Sequence, residues 1–140
     1  MEERVRPGGT GLFMVELLAS AAVFVLCAAV CTALFVQAET ISRRSEALSR
    51  AVSAAQGAAE YFRACGGDLA ETAALAGGRV ESGSLVIGYD ADWALAEGGG
   101  TYTLTLTPTP EEGWVDGALT VTGGGKELLR WQVGALEAAP

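Results

Sequence analysis

The sequence contains no histidine. That removes the commonest general base near neutral pH and the commonest zinc ligand. Cysteine is scarce, and only Cys65 lies outside a long apolar run that holds Cys27 and Cys31, so there is no disulfide framework. The i,i+4 spacing of Cys27 and Cys31 keeps their β-carbons about 5–6 Å apart on a helix, which disfavours a bridge. Both read as small apolar packing residues. Basic residues are few as well: 9 against 17 acidic, for a net charge of −8. Bulk electrostatics therefore argues against a phosphate-backbone partner, and no direct nucleic-acid binding is expected. The adjacent pair Arg43–Arg44 reads as solvated charge beside the apolar run.

What is present is unevenly distributed. The 140 residues have room for one modest domain and an appendage. Hydrophobic residues make up 50% of the chain, concentrated between Leu12 and Val36. Residues 17–36, LLASAAVFVLCAAVCTALFV, carry no charge, Gly or Pro. At 1.5 Å per residue a helix over them is about 30 Å long, the thickness of a bilayer's hydrocarbon core. So small a chain has too little material to surround such a helix on all sides, which disfavours a soluble core helix.

One residue beside this run stands out. In GTGLFMVELL, residues 9–18, Glu16 places a carboxylate at the edge of the span. The order Gly11-Leu12-Phe13-Met14-Val15-Glu16 followed by a full-length apolar segment resembles the prepilin signal of type IV pilins, type II secretion pseudopilins and competence pseudopilins. The resemblance covers about the first third of the chain. It implies a leader over residues 1–11, with Arg4 and Arg6 as its basic residues partly offset by Glu2 and Glu3. It further implies cleavage between Gly11 and Leu12 by a prepilin peptidase, N-methylation of Leu12, and an assembly contact from Glu16 to the charged N-terminus of a neighbour. Leu12 stands where Phe is commoner in that family, and Phe13 where Thr is usual. The span also lacks the helix-breaking Gly or Pro frequent in major pilins, which fits a minor pilin or pseudopilin.

Two other readings compete. Val36-Gln37-Ala38 has the small-residue pattern of a signal-peptidase site before Glu39, but the apolar stretch exceeds the roughly 7–15 residues of a secretory signal. A single-span anchored binding or sensor module that never polymerises is the other alternative. Charge flanks do not fix orientation, because Arg43 and Arg44 follow the span while Arg4 and Arg6 precede it.

Beyond the span, Ile41, Leu48, Val52, Ala55, Ala59 and Phe62 recur at helical spacing, predicting an amphipathic helix that ends at Gly66-Gly67. Glu46 and Arg50 form an i,i+4 pair in the favourable order. Gly57 interrupts this helix, with close packing as a candidate reason. Asp68 with Glu71 three residues on opens a short helix to about Ala76, closed by Gly77-Gly78.

The period then changes to two. Expected strands are 84–89, 101–107, 115–122 and 127–133, with 93–95 a short strand or part of a turn. Tyr102, Leu104 and Leu106 share one face, as do Val115, Leu119 and Val121, and Leu129 with Trp131 and Val133. The connections 97–100, 108–113 and 123–126 are too short for crossover helices, so the strands form an antiparallel meander. The 48–62 helical stripe is the expected cover for its apolar face.

The remaining polar features do not assemble a site. Asp90 and Asp92 lack an EF-hand's spacing, and Asp is common in strand-end turns for its own backbone bonding. The triple glycines 98–100 and 123–125 lack a phosphate loop's Lys-Ser/Thr ending. Glu111 and Glu112 are turn neighbours without an apolar pocket to separate their pKa values. No catalytic residue, cofactor or metal is expected.

The expected fold class is α+β, a long N-terminal helix packed on a small antiparallel β-meander. Its expected segments are the leader 1–11, a transmembrane assembly helix 12–36, an amphipathic continuation 37–65, and a short helix with the sheet over 66–140. The expected function is a structural subunit with an extracytoplasmic C-terminal domain, partnered by prepilin peptidase, other pilin or pseudopilin subunits, an inner assembly platform and membrane lipid.

Overall fold

The computed structural model describes residues 8–136 and has an α+β architecture: one long helix, one short helix and a five-stranded antiparallel sheet. The chain divides into two compact units, Met1–Arg44 and Ser45–Pro140. Helix α1 (Gly9–Ala64) contributes to both.

Within the second unit, α1 ends where three glycyl and cysteinyl N–H groups take up its last carbonyls. Cys65 N donates to Tyr61 O at 2.9 Å, Gly66 N to Arg63 O at 3.1 Å, and Gly67 N to Phe62 O at 2.9 Å. Gly66 (φ 60°) and Gly67 (φ 84°) adopt the left-handed conformation this ending needs. Helix α2 (Leu69–Ala76) follows at once. The Asp68 carboxylate caps it, accepting from Ala70 N at 2.8 Å and Glu71 N at 3.0 Å. Gly77, at φ 73°, ends it. These boundaries are the expected ones.

The sheet comprises β1 (Arg79–Glu81), β2 (Ser84–Tyr89), β3 (Tyr102–Glu111), β4 (Trp114–Gly123) and β5 (Lys126–Leu136), in that spatial order. Three hairpins close on two-residue loops: Ser82-Gly83, Glu112-Gly113 and Gly124-Gly125. Ser82 (φ 50°) and Gly83 (φ 77°), like Gly124 (φ 57°) and Gly125 (φ 74°), have the paired positive φ of turns that match strand twist. Strand β1 was not expected, because three residues are too few to show a period.

The 108–113 segment is also largely strand rather than loop. Pro108 pairs with Gly117 and Pro110 with Val115. Proline is tolerated because β2's registered pairing with β3 stops at Leu106, leaving an open edge beyond it. Residues 93–95 form a turn with one isolated bridge, Tyr89 to Leu95.

The core lies on one face of the sheet. Leu85, Ile87, Leu104, Leu106, Leu119 and Val121 are fully buried there, with Val133, Ala135 and Ala73 of α2 at its margins. The helix seam against it keeps Ala55, Ala59 and Phe62 of the expected stripe and takes Ala51 and Ala58 in place of Leu48 and Val52. Leu48 is 42% exposed. The sheet supplies the bulky groups, so the helix must supply small ones for the two layers to pack at interior density. Trp131 shares the inner face with its neighbour Leu119 but lies on the edge strand and remains exposed. Among the described residues nothing lies within 4 Å of a β-carbon built at Gly57, so close packing against them is not its role.

The opposite face is polar. Thr103 pairs with Thr122 and Thr105 with Thr120 across β3 and β4, and Ser84 Oγ lies 2.9 Å from Thr107 Oγ1. Alternation with period two sends the threonines of β3 and β4 outward and their leucines inward.

Candidate functional site

In the first unit, Gly11, Leu12 and Glu16 all lie in the opening turns of α1 and are exposed. Leu12 N donates to Gly8 O at 3.2 Å, so the Gly11–Leu12 peptide bond is within helical structure. Leu12 and Glu16 stand one turn apart on one face. A β-carbon at Gly8, Gly9 or Gly11 would meet nothing within 4 Å. Each glycine is about 1 kcal/mol less favourable to helix than alanine. Gly9 and Gly11 therefore weaken the start of α1, and none of the three packs against another of the described residues. Arg4 and Arg6 lie outside the described residues.

The apolar run that follows is exposed on every side. Phe24 is 75% exposed and Phe35 78%. Helix α1 is long and apolar enough to cross a membrane, with a mean hydropathy of 2.5 over its most apolar window. Two threonine hydroxyls bond back to the helix, one inside the run and one just past it. Thr32 Oγ1 donates to Ala28 O at 2.8 Å and Thr40 Oγ1 to Val36 O at 2.9 Å. Such back-bonding pairs these two hydroxyls within the helix in a medium without water. Cys27 and Cys31 are free thiols. Just past the run, Arg43 Nη2 meets Glu39 Oε1 at 2.6 Å, and this pair forms rather than Glu46–Arg50 among the described residues.

The second unit's polar candidates have structural tasks. Asp90 Oδ1 accepts from Asp92 N and Ala94 N, both at 2.9 Å, which makes the carboxylate the organiser of a tight turn. That turn holds Trp93 at φ 64°, a left-handed conformation costly for a bulky residue. The constraint lays the Trp93 indole on the Tyr102 ring, centroids 4.1 Å apart and planes 16° from parallel, with Tyr89 on the flank at 5.6 Å. Burial raises the Tyr89 phenol above its ordinary pKa. Sequence reading missed this aromatic stack, whose only sequence signal is three aromatics beside strand ends. Glu111 Oε2 accepts from Trp114 Nε1 at 3.3 Å. Among the described residues, no three His, Cys, Asp or Glu side chains gather closely enough to hold a metal ion.

No protein-family model matches this chain, and no curated protein or solved structure matches it.

Proposed function

We propose that this chain is a pilin-like structural subunit, a minor pilin or pseudopilin, held in the membrane by α1, cut after Gly11 and assembled through the same helix into a filament. The observation carrying this reading is the arrangement at the start of α1. Glycines that meet no other side chain among the described residues precede Leu12, and a carboxylate stands one turn past it at the head of an all-round exposed apolar helix. A glycine-weakened helix start opens readily for a peptidase, and Gly11 adds no side chain against it.

Glu16 then has a physical task. A carboxylate near the membrane interface is only partly desolvated, whereas deeper burial without a partner is costly. A cationic N-terminus on a neighbouring subunit supplies that partner, and removing either charge strands the other. The pair accordingly sets register more than net stability. Prepilin peptidase, other subunits and an assembly platform are the partners this reading requires, with membrane lipid around α1 before assembly.

Mass spectrometry of the mature N-terminus from the native host tests the proposal. N-methylated Leu12 is the expected result. An intact Met1 would instead indicate a permanently anchored module, and a start at Glu39 a secreted domain. Either outcome overturns the subunit reading.

A further inference from the structure

The sheet is a simple meander, so its first and last strands stand at opposite edges. Those edges differ in both charge and shape. The β5 edge carries Lys126 and Arg130 against Glu127, to which Arg130 Nη2 donates at 2.8 Å, and Glu137 follows Leu136 in the sequence, outside the described residues. Arg63 adds a third cation, its Nε donating to Gly134 O at 3.3 Å and showing that this carbonyl faces the open side of β5. Alternation along the strand gives Gln132 and Leu136 the same outward backbone direction. Leu136 is 78% exposed, and its cross-strand partner Trp114 is also exposed, its indole resting on Gly134.

The other edge is built from two pieces. Strand β1 covers residues 84–86 of β2, and the segment around Leu95 continues that edge, bridging to Tyr89 while Ala96 N donates to Gly88 O at 2.9 Å. Its charged residues are Glu81, Asp90, Asp92 and Glu97, with Glu71 on the neighbouring α2, against Arg79. Val80 and Leu75 are exposed here, and Leu95 is 58% exposed while lying against Gly77. A cleft of about 240 Å³ opens where the two pieces meet, between Gly78 and Gly98 over Val86 and Gly88.

We infer that copies of this chain associate head to tail through the sheet, the cationic, Leu136-bearing β5 edge of one against the acidic, clefted β1 edge of the next. Charge complementarity selects the partner, because like edges repel and unlike edges attract. Apolar residues on both sides supply contact area, and the cleft receives a protruding side chain such as Leu136. Joining two different patches at opposite edges leaves each copy with one free patch of either kind, so the contact passes from copy to copy, into a ring or a filament. This deepens the subunit reading by naming a contact between copies that does not involve α1's apolar run.

Cross-linking of full chains in membranes tests the inference. In a background with Cys27, Cys31 and Cys65 replaced by Ala, one differently tagged chain carries Val80→Cys and another Leu136→Cys. Both sites are exposed, so neither change disturbs the core. Mild oxidation of the two chains together is expected to yield a mixed disulfide dimer, at least tenfold above either variant alone. Adding Lys126→Glu and Arg130→Glu to the Leu136→Cys chain should remove most of it, and Asp92→Lys with Glu97→Lys on the other chain should restore it. Equal cross-linking of Leu136→Cys with itself would show a two-fold contact and overturn the inference, as would absence of the mixed product. The mature N-terminus is read on the same material. Methylated Leu12 without the mixed dimer rejects the edge contact alone, whereas the mixed dimer with intact Met1 rejects the processing alone.

Discussion

Phe62 stands over Gly117. A β-carbon built at Gly117 would lie 3.4 Å from Phe62 Cε1, 3.3 Å from Leu106 Cδ2 and 3.1 Å from Val133 Cγ1. Phe62 is the one large side chain in an otherwise alanine seam, and the missing side chain on β4 is the space it occupies. Phe62→Ala is expected to destabilise the second unit by about 3–5 kcal/mol. Gly117→Val overfills the same space, at about 1–3 kcal/mol. Thermal unfolding followed by near-UV circular dichroism checks both, and a change of less than about 0.5 kcal/mol in either would show that this contact does not organise the core.

Gly57 is the converse case, a helical glycine with open space where its side chain would be. Gly57→Ala is expected to stabilise the fold by about 0.5–1 kcal/mol through helix propensity. A lower melting temperature would show that the position meets something outside the chain.

Asp90 holds two backbone N–H groups and, through them, the turn that positions Trp93. Asp90→Ala is expected to cost about 1–2 kcal/mol and weaken the Trp93–Tyr102 near-UV signal. Asp90→Asn retains an acceptor oxygen and should keep most of both. Equal loss in the two variants would assign Asp90 a role in charge rather than in bonding.

Burial raises the Tyr89 phenol above 10.0 in the fold. The unfolded chain ionises first as pH rises, so this contribution is full below the ordinary phenol pKa and is lost as pH climbs through the folded value. Stability should therefore fall on the alkaline side of pH 10. Tyr89→Phe should flatten that limb of a stability–pH profile measured by denaturant titration. An unaltered limb would place the alkaline loss elsewhere.

The start of α1 separates two roles by substitution. Gly11→Val is expected to block N-terminal processing, and Glu16→Ala to leave processing largely intact while reducing incorporation into filaments severalfold. The first is read by mass shift and the second by the amount of subunit in sheared filaments. Full processing of the first variant, or normal incorporation of the second, removes the role assigned to that residue.

Several elements were legible because their causes are local. Asp68 caps α2 with its own carboxylate, Gly77 ends it, and alternation marked β2 and the first half of β3. The roles proposed for Gly11, Leu12 and Glu16 rest on order along the chain beside an apolar run. What escaped was non-local. Strand β1 is held by its neighbour, Pro108 and Pro110 belong to a strand only because β2 ends before them, and Trp93 reaches Tyr102 through a turn with positive φ.

By itself, the sequence determined the α+β order of elements, the apolar run long enough for a bilayer and the placement of charge around it. Hydropathy, period and capping act over a few residues, and their free energies are already present in the local chain. Tertiary structure decided which helical face meets the sheet. The expected stripe is kept at Ala55, Ala59 and Phe62 but rotates onto Ala51 and Ala58 in place of Leu48 and Val52, because Leu104, Leu106, Leu119 and Val121 already fill the layer. It also decided which edges remain open. The placement of Arg130 and Lys126 opposite Glu81 and Glu97 exists only once the meander has set β1 and β5 apart.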